Sequence, residues 1–408
     1  MIRTYSLQYL LDTDNMKKIL FGLFLSNSLL CASAAAPVIP SGWWRALLYR
    51  EDGYTIAFNF EVQYVNGKPG WHIRNAAERL AVNDISWDKD SLIARMPLFE
   101  SEFHLHYEKD KTLKGFWTRA TSTGQQVMSV TAIPHQSERF PGKVLLPKFD
   151  VTGRWAVTFV DNKIPEDAIA EFTQKGNHLT GTFLTTTGDY RYLEGSLKGD
   201  SLQLSTFDGS HAYYFVARIK DRVSIEGGLY CSGAKFKESW TAIKDPHVTL
   251  PDTASAVYLR KGEDRLHFSF ADLDSNLVSI NDQRFRNKVV IIQIMGSWCP
   301  NCMDETAFLS DYYLKNKNRG IEMIGLAYEY STDFHRSQKS LRKFQKQFNV
   351  QYPMLITGIR VGDSLRTEKT LPELTPIKMF PTTIFIGRDG KVKKIDNNFN
   401  GPGTGAHY

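Results

Sequence analysis

The chain has 408 residues with a formal charge of +6, and 42% of its residues are hydrophobic and 12% aromatic. That length is too great for one small domain and predicts two or three, each able to bury a core of its own. The composition excludes a disordered or fibrous protein. With no basic stripe interleaved with aromatics, and no recognisable nucleic-acid-binding module, no nucleic-acid partner is expected.

At the start, Met16-Lys17-Lys18 precedes the apolar run Ile19 to Leu30 and the small-residue stretch Ala32-Ser33-Ala34-Ala35-Ala36. A positive start, an apolar core too short to span a bilayer and an A-x-A site read as a signal peptide over residues 1–36. Translation is expected to begin at Met16 and cleavage to follow Ala34 or Ala36. Removing this segment takes away three basic and two acidic residues and leaves +5. Cys31 is an alternative lipidation site, although Leu30 before it is larger than lipoprotein processing usually accepts. No later segment approaches the length of a transmembrane helix. The expected location is the periplasm or cell envelope, where disulfides form and persist.

From Gly42 to about Ala242 the chain alternates at a period of two, as in "TIAFNFEVQYV", "SEFHLHYE", "SLQLSTF" and "AYYFVARI". These segments are predicted strands. Turn signals at Asn66-Gly67, Thr187-Gly188, Asp208-Gly209 and Gly227-Gly228 give the cadence of an antiparallel barrel or sandwich. The region also reads as an internal duplication. "GWWRALL" answers "GRWAVTF", Asp90-Ser91-Leu92 answers Asp200-Ser201-Leu202, and "LKGFW" answers "IEGGL". The copies are placed at residues 37–133 and 148–243. His104 and His106 share one strand face and could reach a common metal, but with no third ligand nearby the plainer reading is a solvent-facing strand. Trp43, Trp44, Trp155 and Trp240 could line a pocket, whereas aromatics in β-rich folds mostly pack the core.

After a linker over residues 244–264 the rhythm changes, and residues 265–408 alternate strands with helices. A short hairpin is followed by the buried strand "KVVIIQIMG", a helix from Pro300 to Asn318, and the strand "IEMIGLAY". A helix from Asp333 to Phe348, the strand "MLIT", a short helix, and the strands "TTIFIG" and "KVKKID" complete the series. That order implies a sheet covered on both faces.

Two of the four cysteines, Cys299 and Cys302, stand where the buried strand gives way to the helix. A structural zinc site would need two further close thiolates or imidazoles, which the chain does not supply: Cys231 is isolated, and His335 and His407 stand alone. Dithiol chemistry fits better. Backbone N–H groups and the helix dipole stabilise a thiolate at Cys299, and Cys302, one turn on, can resolve a mixed disulfide. Pro300 suits the first helical turn.

Trp298-Cys299-Pro300-Asn301-Cys302, together with Phe380-Pro381-Thr382-Thr383 ahead of "IFIGRDGKV", resembles the thioredoxin superfamily, specifically the exported TlpA/ResA-like (AhpC/TSA-related) reductases. The resemblance covers about Leu266 to the C-terminus. It implies a thioredoxin fold in which Pro381 is cis against the dithiol and Glu305 lies beneath it as a proton donor or acceptor. It also implies a substrate strand held by Trp298, Pro300, Asn301, Phe380 and Pro381. The couple is then the Cys299–Cys302 disulfide, with no other cofactor and no metal. Its partners are protein disulfides, apocytochromes among them, and a membrane thiol–disulfide donor.

The sequence departs from the family in three ways. Pro-Asn stands between the cysteines, Ala307 stands where relatives often carry proline, and "NGPGTGAHY" occupies the place of the usual last helix. The glycines there lack the Lys-Ser/Thr of a phosphate loop and read as a turn. Without that helix, the strand "TTIFIG" would show one face to water unless another segment covers it.

Three functions compete. The favoured one is an exported thiol–disulfide oxidoreductase working as a reductase. An AhpC/TSA-type peroxidase through Cys299 is the second, although the position three before Cys299, where such centres carry Thr or Ser, is Gly296. The third is an envelope ligand-binding protein acting through its β-rich half.

Overall fold

In the computed structural model, residues 37–250, 257–397 and 399–407 are described. The expected signal peptide and Cys31 lie outside them.

The period-two pattern places one face of each strand inward. In β1 (Gly42–Tyr49), Trp44, Ala46 and Leu48 are buried, while Trp43 and Tyr49 are exposed. β2 (Thr55–Val65), β3 (Lys68–Asn75), β4 (Glu78–Val82), β5 (Asp84–Asp88), β6 (Ser91–Arg95), β7 (Ser101–Tyr107), β8 (Leu113–Thr121) and β9 (Gly124–Pro134) complete the first sheet. Its order is β4-β3-β2-β1-β9-β8-β7-β6-β5, an antiparallel up-and-down meander in which β9 returns to pair with β1. β4 caps the β3 edge and the β4–β5 seam stays unpaired, but the sheet curls until β3 comes near β5, making an open barrel.

The second sheet repeats this plan with β10 (Gly153–Asp161), β11 (Ile164–Lys175), β12 (His178–Thr185), β13 (Gly188–Asp189), β14 (Leu193–Lys198), β15 (Ser201–Phe207), β16 (Ala212–Ile219), β17 (Ser224–Ser232) and β18 (Phe236–Lys244). Here the counterpart of β4 is the two-residue β13, which leaves β12 free to pair with β14 as well as β11. With β18 paired to β10, the other eight strands close into a barrel. The copies also share a device at their entry: Trp44 donates its indole N–H to Pro40 O at 2.9 Å, and Trp155 does the same to Val151 O at 2.8 Å.

Gly227-Gly228 does not form the expected turn. It lies inside β17, at a register shift between Ile225 and Gly228 against β18. Gly227 has φ +60°, and a Cβ on Gly228 would fall 2.4 Å from Trp240 O, so the pair makes a bulge that lets the two strands close over the Trp240 ring.

Side chains fill both interiors. Trp44, Trp71, Trp117 and Phe103 pack the first, and Trp155, Trp240, Phe159 and Phe183 the second, so three of the four tryptophans singled out above are core. The fourth, Trp43, is exposed beneath the Arg74 guanidinium. His104 is bonded to Glu102 at 2.8 Å and stacked on Phe116, while His106 is exposed. Phe207 of the second copy stacks 4.3 Å from Phe58 of the first. Buried Arg139, between the copies, donates to Ser205 O at 2.7 Å and Asn59 Oδ1 at 3.2 Å, tying them together.

The α/β part contains β19 (Ser269–Asp272), β20 (Leu277–Ser279), β21 (Val289–Met295), α1 (Pro300–Asn316), β22 (Ile321–Ala327), α2 (Phe334–Gln347), β23 (Met354–Ile356), α3 (Arg366–Thr370), β24 (Thr382–Ile386) and β25 (Val392–Asp396). The sheet order is β20-β19-β23-β22-β21-β24-β25, with β21, β22 and β23 parallel. α1 and α2 cover one face through Leu309, Tyr313, Leu341 and Phe344, and Leu371, Leu374 and Ile377 cover the other. β24 is shielded on both sides: Ile384 and Ile386 join the second cluster, and Thr383 bonds Glu305 of α1.

The glycine-rich stretch read as a turn forms 3-10 turns over Pro402–His407 and packs on the second barrel. There Gly401 N donates to Asp189 Oδ2 at 2.6 Å, and a Cβ on Gly403 would sit 2.7 Å from the Arg191 backbone. No helix among the described residues is long and apolar enough to cross a membrane. The barrels and the α/β part lie within one compact unit, Val38–Tyr408.

Candidate active site

Strand β21 ends at Met295, and Gly296-Ser297-Trp298 turn the chain into α1 with Cys299 as N-cap and Pro300 at the first helical position. Gly296 allows that turn, since a Cβ there would lie 2.1 Å from the Trp298 indole nitrogen. The Cys299 sulfur accepts the Cys302 backbone N–H at 3.1 Å and is joined to Cys302 in a disulfide. The N–H that would stabilise a free Cys299 thiolate is thus already aimed at it.

The Phe380–Pro381 peptide is cis, and Phe380 O lies 3.6 Å from the Cys299 sulfur. Trp298 donates to Tyr328 O at 2.7 Å, meets Phe380 edge-on and stacks on Tyr330. Trp298, Cys299 and Phe380 are thus in direct contact, with Cys299 and Pro381 both buried.

Glu305 is buried beneath the dithiol. Its carboxylate accepts from Gln293 Nε2 at 2.8 Å and Thr383 Oγ1 at 2.6 Å, and the same Gln293 amide reaches Cys302 O at 3.3 Å. Burial pushes the Glu305 carboxyl up to about 7, against the pull of these two donors. A group that ionises near neutrality, one helical turn from Cys302, suits proton exchange with a buried thiol.

Several residues at the site carried no sequence signal. Glu329, just after β22, accepts Ser297 N at 2.8 Å and Ser297 Oγ at 2.6 Å, and burial pushes it to about 7. More unexpected is the contribution of the second barrel. A Cβ on Gly188 would meet Asn301 Nδ2 at 2.1 Å, and Asn301, between the cysteines, is only 8% exposed. Arg191 donates to Asp304 of α1 at 2.9 Å and pairs with Glu78 of the first barrel at 2.8 Å. Burial raises the Asp304 carboxyl to about 7, the Arg191 charge pulls it down, and nearby Glu78 and Asp189 push it up again.

Leu98 and Phe99, between β6 and β7, belong to the same apolar cluster as the two cysteines. As a result all six residues from Asn301 to Thr306 are buried, and Cys299 and Cys302 are 3% and 0% exposed. A helix covered only by its own sheet would leave one side of that turn in water. Cys231, the one free cysteine among the described residues, is buried in β17, where desolvation raises its thiol pKa. No cluster of three or more metal-ligating side chains is found among the described residues.

A cysteine pair at a helix start beside a cis-proline, on a sheet of this order, defines a thioredoxin-type domain. Residues 251–405 match the Redoxin family. Thiol-disulfide oxidoreductase ResA of Bacillus thuringiensis subsp. konkukian (strain 97-27) is 28% identical over 131 residues, which is 32% of this chain and 66% of that protein. ResA of Bacillus subtilis (strain 168) is 23% identical over 137 residues, 34% of this chain and 67% of that protein. A putative protein disulfide isomerase from Bacteroides thetaiotaomicron, known in solution, aligns with 37% of this chain and 87% of its own at 23% identity and TM-score 0.29. Over its C-terminal part the chain is similar to the Redoxin family and to the ResA thiol-disulfide oxidoreductases, and it spans about two thirds of the length of these curated relatives.

Proposed function

We propose that this protein is an exported thiol–disulfide oxidoreductase that reduces protein disulfides. The observation that carries this reading is the Cys299–Cys302 pair at the start of α1, between cis-Pro381 and buried Glu305. In the reduced form the Cys299 thiolate attacks one sulfur of a partner disulfide. A new S–S bond joins protein and partner, and the other partner sulfur leaves as a thiolate that takes a proton from water. Cys302 passes its proton towards Glu305 and attacks Cys299, expelling the second partner thiolate. The partner has gained two electrons, and the protein holds the Cys299–Cys302 disulfide.

Apocytochromes are among the protein disulfides such a couple would serve, and a membrane thiol donor recharges it by the reverse exchange. The couple needs no cofactor beyond its two sulfurs. The leader-like residues 1–36 support export to the periplasm or cell envelope. Trp298, Pro300, Phe380 and Pro381 would meet the partner strand once the barrel loops over buried Cys299 give way. Asn301 joins them only once the Gly188 loop moves aside.

The test is to stall the exchange. Cys302→Ser, expressed in its own cell and purified without reductant, is expected to carry partner proteins that dithiothreitol releases, and Pro381→Thr is expected to trap more. Consumption of hydrogen peroxide with no captured partner would instead favour a peroxidase using Cys299.

A further inference from the structure

A cleft of about 960 Å³ separates the first barrel from α2 and opens to solvent. Its cations are unequally served. Arg336 pairs with Glu100 at 2.8 Å and Arg95 with Glu102 at 3.3 Å, whereas Lys339, Lys343 and Arg360 have no ion-pair partner among the described residues. The α2 wall already takes one carboxylate from this chain: Glu100 accepts from Arg336 Nε at 2.9 Å and from Ser340 Oγ at 3.2 Å. Lys339 and Lys343 lie further along the same face. Lys343 is half-buried, and burial together with Lys339 holds its pKa below the ordinary value against the weaker pull of Asp84, Glu100 and Glu102.

The cleft also leads towards the dithiol. Tyr330 lines it and stacks 5.5 Å from Trp298, the residue before Cys299. A cavity of only about 10 Å³, sharing Glu100, Ala120 and Tyr330 with the cleft, lies against Ser297 and Trp298.

We propose that this cleft receives an acidic segment of the disulfide-bearing partner protein, whose carboxylates pair with Lys339, Lys343 and Arg360. The proposal rests on the function inferred above and narrows its substrate class. An open cleft at the upper end of small-ligand pocket volumes suits an extended peptide better than an enclosed small molecule. The hydroxyls of Thr121, Thr123, Ser331 and Thr332 along its walls suit a polypeptide backbone. Charge of this kind acts mainly on encounter and orientation and is screened by salt.

The test uses the reduced full-length protein and two synthetic peptides, each with one intrachain disulfide, flanked by aspartates in one and by serines in the other. At low salt the acidic peptide is expected to be reduced roughly tenfold faster. That ratio is expected to fall towards one at about 0.5 M salt, and at low salt in a variant carrying Lys339→Gln, Lys343→Gln and Arg360→Gln. No preference in the native protein, or a preference that survives in the triple variant, overturns the proposal. If neither peptide is reduced, the redox reading itself fails. Calorimetric titration with a cysteine-free acidic peptide then decides the cleft alone: salt-sensitive binding lost in the triple variant upholds it, and no binding overturns it.

Discussion

Glu305 links the chemistry of the site to its stability. Its folded pKa, near 7, lies above the ordinary carboxyl value of 4.5, so the folded state binds the proton more tightly than the unfolded one. Stability from this group is therefore full below the unfolded value and is lost as pH rises through the folded one, by up to about 3 kcal/mol. Asp304 and Glu329 act in the same direction. Glu305→Gln is expected to flatten the fall in denaturant midpoint between about pH 5 and pH 8, leaving the part due to the other two carboxyls. In the reduced protein the same substitution is expected to displace the thiolate absorbance curve against pH. Superimposable curves would leave Glu305 a structural residue only. Its position was legible because one helical turn fixes its relation to Cys302. Its burial was not, because Gln293 and Thr383 come from two neighbouring strands.

Among the elements, strands and helices follow the local hydrophobic period closely, because each buries one face against a partner of its own sheet. "KVVIIQIMG" is a buried central strand, and α2 begins where Asp333 caps it, accepting Arg336 N at 2.8 Å. Gly227-Gly228 resisted this kind of reading. Two glycines look like a turn locally, and only the Trp240 carbonyl and ring on the adjacent strand make them a bulge. Gly228→Ala is accordingly expected to cost about 1–3 kcal/mol by overpacking, measured as a lowered thermal midpoint. Gly176→Ala provides the contrast: it has the positive φ that Gly228 lacks, and no atom would meet its Cβ, so only backbone strain should register there. α1 shows the same dependence on neighbours. Its first turns are buried all round because a barrel loop occupies the side that its own sheet leaves open.

For the whole molecule, the barrels are a cover on the redox site as well as a separate fold. Arg191 holds that cover by pairing at once with Glu78 and Asp304. Arg191→Met leaves both carboxylates without their shared counter-charge and is expected to cost about 3–5 kcal/mol, seen by denaturant unfolding. It is also expected to speed reduction of the Cys299–Cys302 disulfide by a small thiol, because loosening the Gly188 loop uncovers Asn301 and Cys299. An unchanged rate would mean that the barrel does not limit access. The sequence by itself determined the dithiol at a helix start, Glu305 one turn on and the alternation of the β-rich half, since each depends on residues within a helical turn or a strand; the proline loop was legible only through the family resemblance. Tertiary structure alone decided that Arg191 and Asp304, 113 positions apart, meet at the start of α1. It likewise decided that Gly188 closes over Asn301 and that a cationic cleft opens beside Trp298. These contacts arise from how two independently patterned folds dock, and docking depends on surface shape and charge that no local period encodes.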